Sequence, residues 1–247
     1  MTDEKFLDKK MDRREFLKKA GIGGAGLALG LSGASAFFAN QDSSTKKALD
    51  GDEDISFYGK HQAGITTPMQ KACYLVVLDL HTTDKKEVIQ LFKDWTDYSS
   101  KLVDGELVKK DGSNALLPPT DTGETVGLNP YRLSLTFGVS ADFLKKLGLE
   151  SKRPKLFRDL PPFPKEQLQD KYTGGDIVIQ ACADDEQVAF HAVRNLIRKG
   201  RNKITMKWSK SGFAAIGDRK ETPRNLFGFK DGTANVTTEK EFDKVVW

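Results

Sequence analysis

Residues 174–196 read GGDIVIQACADDEQVAFHAVRNL: a glycine pair, then a strand and a helix in one run. Asp176–Ala181 is short, apolar and rich in β-branched residues, the length and composition of a strand. Asp184 then stands where a helix cap is expected, with Gln187 three residues on at capping-box spacing. Val188, Ala192 and Leu196 recur at helical spacing, and Ala189 and Val193 widen that stripe. A strand feeding a helix with one apolar face predicts a helix laid on a sheet.

The flanking sequence repeats the pattern. Cys73–Leu80 (CYLVVLDL) reads as a strand. Thr83 is placed to cap the helix after it, whose apolar face is Val88, Leu91, Phe92 and Trp95, continuing to Leu102. Arg132–Ser140 alternates through Leu133, Leu135, Phe137 and Val139 as a second strand, and Ala141–Leu147 is a short helix stopped at Gly148. The segment 151–175, with Pro154, Pro161, Pro162 and Pro164, predicts an ordered surface loop. Lys203–Trp208 and Gly212–Ile216 close the series. The order strand, helix, strand, strand, helix, strand is a ferredoxin-like βαββαβ motif, an α+β fold with an antiparallel sheet. Strands one and three are neighbours in this topology. Cys73 opens the first and Cys182 closes the third, so both belong at one end of the sheet. Two unbonded thiols are expected there, with a disulfide formed after export as the alternative.

The 247 residues and 27.4 kDa allow one or two domains, and 30% charged against 38% hydrophobic residues suits a folded body. The formal charge is +4, and residues 1–36 contribute two of those charges through seven Lys/Arg and five Asp/Glu. The remainder is near balance, which argues against a nucleic-acid surface. Arg198, Lys199, Arg201 and Lys203 read as a solvated face. Two cysteines exclude a disulfide framework and a thiolate metal cluster, and no metal site is expected.

Arg13-Arg14 precede a glycine-rich apolar stretch, Ala20–Phe38, with Ala34-Ser35-Ala36 as a cleavage signal. Residues 1–36 therefore read as a twin-arginine signal peptide, with a retained membrane anchor as the weaker alternative. Residues 37–54 read as a linker. In Gly59–Gln70, His61 is open to a pocket or a surface role. His81, at a strand exit, reads as a turn residue. Asp121 and Glu124 read as capping or solvated acids, with a cation site as the alternative. His191 lies beside the apolar stripe and reads as structural or as the edge of a pocket.

Thr222–Val236 (TPRNLFGFKDGTANV) sets Asn225, Gly228 and Gly232 around Phe227, Phe229 and Asp231. A carboxylate dehydrated by the two aromatics would have a raised pKa and suit acid/base work; a solvated Asp-Gly turn is the alternative.

RNLFGFKDGTAN resembles the signature of the dye-decolourising haem peroxidases, including the exported iron-uptake peroxidases called deferrochelatases. DTGETVGLNP (121–130), LTFGVS (135–140) and residues 174–196 resemble the same subgroup, so the likeness spans roughly 55–247. It implies that Asp231 is the acid on the distal side of haem b (heme b), and that Gly232, Thr233 and Ala234 line the cofactor. It also implies that 55–221 is the first of two ferredoxin-like domains and that 222–247 holds the distal loop and the start of the second. The axial histidine is then expected beyond residue 247, and the chain is expected to be the N-terminal part of a longer enzyme. The implied activity reduces hydrogen peroxide and oxidises dyes or ferrous iron, with release of iron from haem in the iron-uptake subgroup. Trp208 and Tyr172 are available as surface electron donors, or equally as packing residues. An iron-uptake permease system is the implied partner, export by the twin-arginine route the implied destination, and a homo-oligomer stays open. The alternatives are a non-catalytic exported binding module, an inactive fragment of the peroxidase, or a chlorite-dismutase relative; the aspartate loop argues against the last.

Overall fold

Four strands pair antiparallel in the order β2-β3-β1-β4: β1 (Ala72–Leu80), β2 (Ser134–Val139), β3 (Ile177–Ala183) and β4 (Ile204–Phe213). The computed structural model describes residues 55–109, 118–215 and 223–247. These lie in one compact unit, Asp52–Trp247. The leader and most of the linker lie outside the described residues. Helix α1 (Lys85–Val103) joins β1 to β2, and α3 (Glu186–Gly200) joins β3 to β4. Between β2 and β3 come α2 (Ala141–Lys146) and a long exposed loop with short 3-10 turns at Glu150–Lys152 and Asp170–Tyr172; α4 (Glu239–Val245) lies near the end of the chain. This is the ferredoxin-like order read from the sequence. Among the described residues no helix is long and apolar enough to cross a membrane.

The strands alternate about the sheet. Ile177, Ile179, Ala181 and Ala183 of β3 are buried beneath the helices, while Val178, Gln180 and Cys182 point to the other face. α1 buries Val88, Leu91, Trp95, Leu102 and Val103; α3 buries Val188, Ala189, Ala192, Val193 and Leu196. Trp95, 1% exposed, ties the two helices together by donating from Nε1 to the Leu196 carbonyl at 2.8 Å. A buried indole needs such a partner, and here the helix backbone supplies it.

Three local expectations are corrected. Asp84, not Thr83, caps α1, its carboxylate accepting from Lys86 N at 2.8 Å. Asp185, not Asp184, caps α3, accepting from Gln187 N and Val188 N. Asp184 is withdrawn from the helix because its carboxylate pairs with the buried Arg132 at 3.2 Å and accepts from Lys71 N. The last strand is one element where the sequence suggested two. Its register skips Lys207 between Trp208 and Met206, a bulge, and the polar Ser209–Ser211 is tolerated because β4 is an edge. Ile216 lies outside the described residues.

Gly175 shows why a glycine pair leads into β3. Its φ is +119°, and a Cβ there would lie 2.2 Å from Val77 Cγ1. Asp176 follows, 2% exposed, accepting from Leu80 N and Lys146 Nζ at 2.6 Å each.

Candidate functional site

The helix-free face of the sheet carries Cys73, Leu75 and Val77 of β1 beside Cys182, Gln180 and Val178 of β3. Residues 55–70 run along the β2 edge of the sheet, with Phe57 packed against the core on the helix side. Gln62 joins the β2 edge as a strand would: its side chain accepts from Phe137 N at 2.7 Å and donates to Phe137 O at 3.0 Å. Gly64 lies so close to Thr136 that a Cβ would come within 2.0 Å of its hydroxyl oxygen. Gln70, buried, donates to Ser134 Oγ and to Arg132 O. His61, in the same segment, stacks on Trp247 with centroids 3.6 Å apart. His61 Nε2 and Trp208 Nε1 are buried and have no hydrogen-bond partner.

The aspartate loop is a small hairpin. Arg224 and Lys230 form an isolated antiparallel bridge, and Asp231 N donates to Pro223 O at 2.9 Å. Asn225 organises the tip, its carboxamide oxygen accepting from Phe227 N and Phe229 N. Gly228 has φ +85° and Gly232 φ +74°, left-handed geometry that glycine adopts at little cost. Gly232 O then accepts from Asn235 N at 3.0 Å. Asp231, Gly232, Thr233 and Ala234 are all exposed, and the Asp231 carboxylate has no partner among the described residues. The expected dehydration by the aromatics is absent, because Phe227 is 87% and Phe229 70% exposed. In this chain the loop is the solvated alternative, with an exposed carboxylate on a turn organised by Asn225.

The histidines separate sharply. His81 is exposed, and its Nε2 bonds Thr205 Oγ1 at 2.6 Å. His191 is 2% exposed with both ring nitrogens engaged: Nε2 with Asp121 Oδ1 at 2.8 Å and Nδ1 with Thr125 Oγ1 at 3.0 Å. Asp121 also accepts from Val108 N and Gly123 N. Burial alone would raise its carboxyl, but the bonds from His191, Gly123 and Val108 outweigh that and hold it below its ordinary 3.8. Glu124 pairs with Arg194 and lies near His191. This is the structural reading of His191 and the capping reading of Asp121: they pin the 118–130 loop to α3. Among the described residues no group of three or more His, Cys, Asp and Glu is arranged to hold a metal ion. Trp208 is half-buried on the open face, and Tyr172 is 47% exposed beneath Lys171 and Lys210.

Residues 62–214, more than half of the chain, match the sequence model described as Dyp-type peroxidase, N-terminal. The chain belongs to the DyP-type peroxidase family. A deferrochelatase of Escherichia coli O157:H7 is 35% identical over 243 residues, 95% of this chain and 57% of that protein. A DyP-type peroxidase from Streptomyces coelicolor superposes with a TM-score of 0.69 at 37% identity, covering 78% of this chain and 51% of its own. Ferric DtpA from Streptomyces lividans gives the same TM-score, identity and coverage. The chain thus spans little more than half the length of these DyP-type relatives.

A DyP-type cofactor would need exposed surface and an imidazole for its iron. The 231–234 turn offers exposed backbone beside a carboxylate that has no partner among the described residues. His81 and His191 are committed, so His61 alone among the three has a buried ring nitrogen without a partner. Sequence reasoning missed the Arg132–Asp184 and Lys146–Asp176 pairs; the Asp-Asp doublet at 184–185 was the one available signal for the first.

Proposed function

We propose that this chain supplies the first ferredoxin-like domain, 55–221, and the aspartate loop with the start of a second domain, 222–247, of an exported haem peroxidase. The observation that carries this reading is the Asn225-organised hairpin, which holds the Asp231 carboxylate free on a turn of the family's RNLFGFKDGTAN sequence. Haem, when bound, supplies the redox-active iron that receives the oxidising equivalents of hydrogen peroxide. Asp231 takes a proton from one peroxide oxygen and returns it to the leaving oxygen, work suited to a carboxylate within hydrogen-bond reach. Gly232, Thr233 and Ala234 line the cofactor. The donor is a dye-like reductant or ferrous iron. The name of the deferrochelatase relatives supports removal of iron from haem as the activity; the leader 1–36 would take the protein out by the twin-arginine route, where an iron-uptake permease would be its partner.

Haem titration read as the Soret band, on the chain and on His61→Ala, is the first step. A stoichiometric band lost in the variant assigns His61 as the iron ligand. A band that His61→Ala leaves intact assigns the iron to another ligand within the chain, with His81 and His191 its remaining imidazoles, whereas no band at all assigns the axial imidazole to a histidine outside these residues. Asp231→Asn in the haem-loaded protein is expected to slow peroxide consumption by about 10²–10⁴-fold with the Soret band unchanged. Unchanged turnover sinks the assignment, and parallel loss of haem makes Asp231 a structural residue instead.

A further inference from the structure

Cys73 and Cys182 are directly opposite in the β1–β3 register, and both are free thiols. The phase of the ladder shows which kind of pair they form. Ser140 N donates to Asp176 O at 2.9 Å, and the same β2–β3 register, followed in steps of two, brings Ser134 opposite Cys182. The main-chain N–H and C=O of Cys182 therefore point toward β2. Ala214 N donates to Lys71 O at 2.8 Å, and one step of two along β1–β4 brings Gly212 opposite Cys73. The main-chain groups of Cys73 therefore point toward β4. Each cysteine turns its backbone away from the other, which makes Cys73–Cys182 a non-hydrogen-bonded pair. Such pairs bring Cα atoms to about 4.5 Å, inside the range of roughly 4.4–6.8 Å that a disulfide spans.

Both side chains lie on the helix-free face, and both residues are half-buried. Cys73 also lines a groove of about 1010 Å³ that runs past Lys71, Asp184, Ser211 and Phe213 at this end of the sheet. Neither cysteine is fully buried, so a small oxidant can reach the pair.

We propose that Cys73 and Cys182 form a peroxide-reactive dithiol, with Cys73 the attacking thiolate and Cys182 the resolving thiol. The Cys182 thiol is hydrogen-bonded to Cys73, which brings the Cys73 thiol down to about 7 against the opposing effect of burial. The same bond, then burial, then the charge on Cys73 push Cys182 up, so Cys73 is the first to ionise. In the first step the Cys73 thiolate attacks one oxygen of hydrogen peroxide. The O–O bond breaks, water leaves once a proton is taken up, and Cys73 becomes a sulfenic acid. In the second step the Cys182 sulfur displaces hydroxide from that sulfenic acid, the thiol proton leaves with it as water, and the S–S bond forms. The sum is two thiols and one hydrogen peroxide giving one disulfide and two waters. No haem takes part, so this chemistry stands or falls separately from the peroxidase reading.

The test uses the haem-free chain, reduced and then treated with a stoichiometric amount of hydrogen peroxide. Thiol titration under denaturing conditions is expected to fall from two thiols to none, and the monomer to become lighter by two hydrogens. Peptide mapping should join Cys73 to Cys182. In Cys182→Ser the reaction should stop at a sulfenic acid on Cys73, trapped by a dimedone reagent. Two thiols surviving excess peroxide, links only between chains, or labelling of Cys182 ahead of Cys73 overturns the proposal. The first readout uses the wild-type chain and does not depend on any variant folding.

Discussion

Asp121 shows how one side chain can organise a loop. Its two oxygens collect Val108 N, Gly123 N and His191 Nε2, so a segment of irregular backbone is fastened to α3 through one buried carboxylate. The sign of its pH dependence follows from its depressed titration. Between the folded value and the ordinary 3.8 the unfolded chain holds more protons than the folded one, so stability is full above that range and is lost as pH falls through it. Glu124 acts in the same sense from its ordinary 4.5, where burial opposes but the Thr122 hydroxyl and the Arg194 charge prevail. Urea midpoints measured from pH 7 down to pH 3 should therefore drop on the acid side. Asp121→Asn should flatten that acid limb and cost about 1–3 kcal/mol at pH 7, the range for a buried bond left unmade. An acid limb unchanged in the variant assigns the loss to other carboxylates. Asp231 is the opposite case, exposed and without a partner for its carboxylate among the described residues.

At the level of elements, adjacent aspartates do different work. Asp185 satisfies the first N–H groups of α3, while Asp184 neutralises Arg132, which is 8% exposed and also donates to Pro68 O. Asp185→Ala should therefore cost about 1 kcal/mol, the usual value of a cap. Asp184→Ala should cost about 3–5 kcal/mol, because it leaves a guanidinium buried without its counter-charge. Chemical denaturation of the two variants side by side checks this, and equal losses would mean that the doublet acts as one cap. Gly175→Ala joins the same series. The new methyl meets Val77 and the backbone is held at positive φ, so a loss of at least 1–3 kcal/mol is expected, roughly the cost of overpacking.

Taken whole, the unit rests on one core between the sheet and the α1–α3 layer, with Trp95 at its centre stacked near Phe137 and edge-on to Phe92. Trp95→Ala should lower the stability of the entire unit in one cooperative step by about 3–5 kcal/mol, read by thermal or urea unfolding. A second, unshifted transition would show a part of the unit that does not share this core. Periodicity is a local property, so the strands, both long helices, their buried stripes and the β1–β3 adjacency that aligns the cysteines were legible in the sequence. The aspartate loop was legible too, because its glycines and Asn225 shape it from within. Which aspartate caps α3 was not, since the answer depends on Arg132, 52 positions upstream. The continuity of β4 was hidden by polar residues that only an edge position tolerates. The engagement of His191 by Asp121 and the solvation of Phe227 and Phe229 were also decided by tertiary structure. Charge pairing, burial and exposure are set by which distant surfaces meet, and no local spacing carries that information.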